Sequence, residues 1–217
     1  MDNKRNLSDL IKDNIKPSIQ PKDFRVFVFG PSLAPSEVVD EPDRAINNNH
    51  DDILKHARYL RYLTKDAIKK DGFPVDFGET QEVIDLWNKK FKSADLGSTE
   101  IHHARLVCGA IIIYPSSIGS FCELGIFSPF EDISKKTLAI VHKPFSDDNS
   151  FFRKGLIELF QQEHGKCEFI DYKDYELCIK AAVNFVRNKF QKMLRDQEWV
   201  RYGTRKKKEL DGTAFET

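Results

Sequence analysis

The chain has 217 residues, of which 40% are hydrophobic and 31% charged, so it is long enough for a core of its own and too apolar for wholesale disorder. Lysine plus arginine and aspartate plus glutamate both number 34, which excludes the strong positive field of a general nucleic-acid-binding domain. The sequence shows no signal-peptide pattern and no apolar window near the ~20 residues of a membrane span, so we expect a cytoplasmic protein that does not enter a membrane.

The first part of the chain predicts an N-terminal arm or short helix over residues 1–22, followed by a strand. Residues 24–29 are rich in β-branched and aromatic side chains, and Gly30, Pro31 and Ser32 stop the strand. The proline-containing stretch 33–50 reads as a long loop. Apolar residues then recur at helical spacing over 53–68, which predicts the first long helix.

The middle of the chain alternates extended and helical patterns. We predict a short strand within 72–77, a helix over 83–91 and a second helix that begins near Ser98 and leads into a strand over 110–114. That strand and residues 137–141 are continuously apolar, as expected for strands covered by helices on both faces of a parallel sheet. We expect them to be parallel neighbours of the strand over 24–29.

The remaining elements complete a Rossmann-like pattern. They are a helix over 152–160, a strand over 167–170 and a helix over 178–190. The alternation predicts an α/β domain over residues 23–195, with a doubly wound, mostly parallel sheet of about five strands and helices on both faces. Residues 196–217 are polar and read as a C-terminal tail, whose basic run 205–208 either contacts phosphate or nucleic acid or is simply solvated.

Ligands of an open α/β sheet bind at the carboxyl ends of its strands. Two predicted strands end in suitable loops, and a helix that we expect to begin at Phe121 follows the second. Backbone amides at a helix start, beside small hydroxyl side chains, suit a phosphate or the polar edge of a ribose. The predicted substrate-binding residues are Gly30, Pro31, Ser32, Pro115, Ser116, Ser117, Gly119 and Ser120.

Glu123 follows the second loop and has two interpretations. A carboxylate there is placed to bind ribose hydroxyls or to attack the anomeric carbon as a nucleophile. Ser120 and Glu123 also have the spacing of a capping box, in which the two side chains only satisfy free amides of the helix. The residues alone leave both interpretations open.

The motif Gly119-Ser-x-x-Glu-Leu-Gly125, together with the strand before it, resembles nucleoside 2-deoxyribosyltransferase-like proteins. It also resembles the Gly-[Ser/Thr]-x-x-Glu signature of the Rossmann-like group that includes the lysine-decarboxylase-like phosphoribohydrolases. Both families act on the N-glycosidic bond between ribose and base. The resemblance implies that Glu123 is catalytic and that Gly119 and Ser120 contact sugar or phosphate. The transferases usually carry Asp just before the strand, where this chain has Gly109.

Weaker candidates for the site are Asp95, Glu100 and His103, which precede the strand over 110–114. The four cysteines lack the paired spacing of a zinc site, and Asp51 and Asp52 suit a helix start, so we predict no metal. We also expect no separate cofactor, because a nucleotide or NAD would be the substrate or ligand.

Two functions therefore remain. The first is cleavage or transfer of the N-glycosidic bond of a nucleoside, nucleotide or NAD, with Glu123 as nucleophile or oxocarbenium stabiliser. The second is a non-catalytic module that binds or senses a nucleotide. By the same resemblance, such domains include effectors and sensors of bacterial antiviral defence. A homo-oligomer is a further expectation, with the aromatic segment 127–130 as its predicted exposed interface.

Overall fold

The computed structural model describes residues 19–33, 37–43, 49–78, 85 and 96–210. Its centre is a sheet of five parallel strands in the order β2-β1-β3-β4-β5. The strands are β1 (Arg25–Phe29), β2 (Val75–Asp76), β3 (Cys108–Ile113), β4 (Thr137–His142) and β5 (Lys166–Ile170). The prediction that residues 24–29, 110–114 and 137–141 form neighbouring parallel strands is confirmed.

Helices cover both faces of the sheet, because the central strands β1, β3 and β4 are apolar on both sides. Ala110 and Ile112 of β3 face one buried cluster, whereas Ile111 and Ile113 face another, and all four side chains are fully buried. Each buried isoleucine contributes about 1.5–3 kcal/mol to folding. The predicted doubly wound α/β fold is therefore confirmed.

The first cluster lies under α1 (His50–Lys70) and α6 (Tyr175–Leu210). The second lies under α2 (Leu96–Leu106), α3 (Ile118–Phe127), α4 (Glu131–Ser134) and α5 (Glu158–Gln162), together with a π-helical segment before α5 (Phe152–Ile157). Asn49 caps α1, because its side chain accepts a hydrogen bond from the Asp52 amide. Short 3₁₀ turns lie at Pro21–Asp23 and Lys143–Asp147.

Several boundaries differ from the predictions. Helix α3 begins at Ile118 rather than at Phe121, and α2 begins at Leu96 rather than near Ser98. Helix α6 continues past residue 196, so the basic run 205–208 is helical, since Lys, Arg and Glu favour helix even where the apolar stripe has ended. Apart from Asp85, the helix predicted over 83–91 lies outside the described residues, as do residues 1–18 of the predicted arm.

The aromatic segment 127–130 is not the exposed patch that the sequence suggested. Phe127 and Ser128 are fully buried, and Phe130 packs under the guanidinium of Arg105, 4.8 Å from the ring centroid. The Ser128 hydroxyl donates to the Leu124 carbonyl, which ends α3 and turns the chain into α4. Phe127 therefore packs inside the monomer, contrary to its predicted exposure, whereas Pro129 is exposed and Phe130 is half-buried. The homo-oligomer stays a prediction.

Gly109 shows why a side chain is excluded at the start of β3. A Cβ at this position would lie 2.2 Å from the ring of Phe24, which packs edge-on against Phe73 and Phe190. We expect Gly109→Ala to lower the free energy of unfolding by about 1–3 kcal/mol, because Phe24 has to move within a packed core. Urea unfolding measures this change. The control is Gly125→Ala, where an added Cβ meets no atom within 4 Å, and an equal loss in both variants would contradict the account.

Within the described residues, no helix combines the length and apolar character that crossing a lipid bilayer requires.

Candidate active site

The order of the strands creates a crevice between β1 and β3. The chain leaves β1 towards α1 on one face of the sheet and leaves β3 towards α3 on the other face. Loops that part in opposite directions at the carboxyl ends of neighbouring strands form the usual ligand site of this fold class. The two loops predicted from sequence, at residues 30–32 and 115–120, are therefore brought together at one edge of the sheet.

The loop after β1 is held tightly against β3. Gly30 has a φ of +155°, and a Cβ there would lie 3.3 Å from Cδ of Arg61 and 3.5 Å from Cβ of Tyr114. The Tyr114 amide in turn donates to the Phe29 carbonyl at 3.1 Å. A glycine is favoured at position 30, because side chains rarely adopt this backbone conformation and a Cβ would press against Arg61.

Arg61 organises the same loop and was missed by the sequence reasoning. Its side chain is 1% exposed and donates to the carbonyl oxygens of Val28 (3.0 Å), Pro31 (2.8 Å) and, at 3.4 Å, Gly30. The guanidinium also lies over the ring of Phe77, 4.4 Å from its centroid. Arg61 therefore holds the loop after β1 in place through the backbone carbonyl oxygens of that loop. We assign it a positioning role and no contact with a ligand.

The loop after β3 is tied together by its serines. The Ser120 hydroxyl accepts hydrogen bonds from the amides of Ser116 (2.9 Å) and Ser117 (2.8 Å), and the Ser117 hydroxyl accepts from the Ser120 amide at 3.2 Å. Ser117 is the N-cap of α3, and Ser120 closes a capping box with it. These hydrogen bonds fix the conformation of the loop. The hydroxyls and amides that form them therefore position the loop, and they are not free to donate to a ligand.

Two backbone amides at the start of α3 are not used by the serine hydrogen bonds. Within the part of the chain that the structure describes, those of Ile118 and Gly119 have no hydrogen-bond partner. They occupy the first two positions of the helix, where backbone N–H groups carry the positive end of the helix dipole. An anionic or strongly polar ligand group is favoured at this end of the crevice.

Glu123 lies outside the capping box of α3. The capping box uses Ser117 and Ser120, so the interpretation that paired Ser120 with Glu123 is wrong. Its cause is the extended backbone of Ser117 (φ −120°, ψ 162°), which starts the helix one turn earlier than the spacing suggested. Glu123 lies on the second turn, four residues after Gly119 and on the same side of α3, and its Oε2 atom is shielded from solvent.

Glu100 comes to the same edge from α2. Its side chain is 7% exposed, and its Oε1 atom lies 3.0 Å from the position of a Cβ on Gly78, just beyond the carboxyl end of β2. The structure thus places Glu100 at the edge where the crevice opens. Asp95, which the sequence also suggested, lies outside the described residues.

His103 lies one turn further along α2, in a buried ion cluster below β1 and β2. Its Nε2 atom is 3.1 Å from Oδ2 of Asp76, whose Oδ1 atom accepts from Arg25 at 2.6 Å. Burial opposes ionisation of Asp76, but the hydrogen bonds and charges of His103 and Arg25 outweigh it and lower the pKa of Asp76. His103 is therefore engaged in holding β2 against α2.

The remaining chemistry at the described residues is limited. No three His, Cys, Asp or Glu side chains among them gather as metal ligands. Burial raises the pKa of Cys167 and of Cys178 to about 12, so these thiols stay protonated and are poor nucleophiles. The groups at the described residues that suit a reaction are therefore the Glu123 carboxylate and the amides of Ile118 and Gly119 at the start of the same helix.

Gly119 provides a test of where the ligand sits. An added Cβ would have only the Ser117 hydroxyl nearby, at 4.0 Å, so Gly119→Ala fits the fold and favours the helix by roughly 0.5–1 kcal/mol. We expect it to weaken binding of a nucleotide ligand by about tenfold, because the methyl group stands in front of the free amides. Calorimetric titration measures this loss. Gly125→Ala on another side of α3 is the control, and equal affinity in the two variants would place the ligand elsewhere.

Comparison with known proteins gave one family match. The family model described as STM3845 retron effector protein matches residues 57–213, which include α1 from Ala57 onward, Glu100, Glu123 and the whole of α6. A search of curated proteins found no match. The family description names a retron effector and no reaction.

Proposed function

This chain belongs to the STM3845 retron effector family, and from that premise we propose that it is a bacterial defence effector that cleaves or transfers an N-glycosidic bond. The substrate class is a nucleoside, a nucleotide or NAD. In this proposal the crevice between β1 and β3 and the start of α3 bind the substrate. Glu123 supplies the negative charge that the reaction requires. The family match supports the defence role, and the site geometry and the resemblance of the motif support the chemistry.

The observation that carries the proposal is the position of Glu123 on the second turn of α3, outside the capping box and on the same side of the helix as Gly119. Ser117 and Ser120 form the capping box of α3, so Glu123 does not have the capping-box role that its spacing from Ser120 suggested. The Oε2 atom of Glu123 is shielded from water, and the amides of Ile118 and Gly119, about one helical turn earlier, have no hydrogen-bond partner among the described residues. A partly desolvated carboxylate stabilises a developing positive charge more strongly than an exposed one does.

The proposed reaction uses this carboxylate at the anomeric carbon. The bond from the sugar to the base breaks, its electron pair leaves with the base, and the base takes up a proton from solvent. Glu123 either forms an ester with the sugar or stabilises the oxocarbenium ion through its charge. Water then yields the free sugar, or a second base yields a new nucleoside. Glu100 provides the second carboxylate at this edge, and we assign it to the sugar hydroxyls.

Incubation with a panel of nucleosides, nucleotides and NAD tests this proposal. Free base is separated and quantified by chromatography, with the protein-free mixture as the background. We expect release of base from at least one member of the panel. Binding of a panel member without any release would instead support the non-catalytic nucleotide-binding module.

A further inference from the structure

A second concave surface lies at the opposite edge of the sheet from Glu123. It has a volume of about 1210 Å³ and is bordered by residues that precede or begin β1, β3 and β4. Its walls include Lys135, Lys136, Lys189 and Lys192. We call this surface the lysine basin. It shares no residue with the loops of the candidate active site.

Two of the four lysines are fixed by the fold. The Lys136 ammonium donates to the carbonyl oxygens of Arg105 (3.0 Å) and Cys108 (2.9 Å), and the Lys189 ammonium donates to the Lys135 carbonyl. None of these three acceptors is a carboxylate, so the bonds orient the ammonium groups without neutralising them. Lys135 and Lys192 are exposed at the rim and add two further positive charges.

The cations repel one another. Burial, followed by the charges of Lys192, Lys166 and Lys135, lowers the pKa of Lys189. Burial likewise lowers the pKa of Lys136, although Cys108 and Asp132 act in the opposite direction. An anion in the basin would relieve this repulsion and would meet oriented N–H donors.

The acidic groups of the basin limit the shape of that anion. Glu131 and Asp196 also line it, and both are exposed at its rim. They would repel the continuous backbone of a long polyanion that crossed the rim, whereas a compact anion can sit among the lysines. The volume is ample for a ligand of nucleotide size.

We propose that the lysine basin binds a compact phosphate-bearing ligand, such as a free nucleotide phosphate or pyrophosphate, at a site separate from the candidate active site. The inference does not depend on the reaction proposed for Glu123. It assigns the chain a second ligand site at the amino ends of its strands.

Calorimetric titration of the full chain with inorganic pyrophosphate tests the inference, because pyrophosphate carries no base or sugar. The test variant is Lys189→Gln combined with Lys192→Gln. Each lost charge-assisted contact lowers affinity by about tenfold or more. The control is Lys180→Gln, which removes an exposed lysine from the opposite side of the same helix.

We expect saturable binding by the unaltered chain that weakens as salt is raised, unchanged binding by the control, and about a hundredfold loss in the double variant. Equal affinity in the double variant and the control would overturn the inference, as would no detectable binding of pyrophosphate. Binding of a single-stranded oligonucleotide that pyrophosphate fails to displace would also overturn it. Thermal unfolding of each variant establishes that a loss of binding is not a loss of fold.

Discussion

Glu123→Gln is expected to slow base release by about a thousandfold, which corresponds to ~4 kcal/mol of lost transition-state stabilisation. Glutamine keeps the length and the shape of the side chain but loses the negative charge that a nucleophile or an oxocarbenium stabiliser requires. The unfolding midpoint should hardly change, because Ser117 and Ser120 cap α3. Rate measurements and thermal unfolding on the same preparation check both expectations.

Two further variants separate catalysis from helix stability. Ser117→Ala removes the N-cap and should cost about 1 kcal/mol of stability. Glu176→Gln removes an exposed carboxylate from α6 and should leave the rate unchanged. A Glu123→Gln protein that is destabilised like Ser117→Ala, yet releases base at the normal rate, would show that Glu123 is a structural residue.

Arg61→Met should destabilise the protein by about 3 kcal/mol and also weaken ligand binding. Methionine fills much of the space of the arginine, but it leaves the carbonyl oxygens of Val28, Gly30 and Pro31 without their charged donor. The loop after β1 then loses its anchor at the crevice. Urea unfolding and calorimetric titration of a nucleotide measure the two effects.

The control for Arg61 is Arg187→Met on α6. Arg187 also makes a two-pronged contact, to the carboxylate of Asp71 at 2.7 and 2.8 Å, but it is exposed to solvent. Exposed ion pairs of this kind contribute little to stability. If the two arginine variants were equally stable and bound nucleotide equally well, Arg61 would not organise the site.

The fold could be predicted because its strands carry a strong local signal. The apolar runs in β1, β3 and β4 are buried on both faces, which is a property of each segment by itself. The exact start of α3 had no such signal. Ser117 and Ser120 are both capable caps, and only the extended backbone at Ser117 decides between them.

The candidate site could be predicted from the sequence only where its residues belong to loops that directly follow a strand. Gly30 and the loop after β3 follow directly from strand ends, so their meeting at one edge was predictable. Arg61 was not, since a charged residue in a helical stripe is normally assigned to the solvent face, and its partners lie about 30 residues earlier in the chain. Phe127 was predicted to be exposed but is buried. Its position near a helix end does not indicate that it packs against Phe29, which is distant in sequence.

Chromatographic quantification of free base tests directly whether Glu123 cleaves an N-glycosidic bond. The unaltered chain and Glu123→Gln are compared at equal concentration on the panel member that gives most product. We predict release that grows linearly with enzyme concentration in the unaltered chain and falls to the protein-free background in the variant. Equal release by the two proteins, or no release from any nucleoside, nucleotide or NAD, would show that Glu123 does not cleave an N-glycosidic bond.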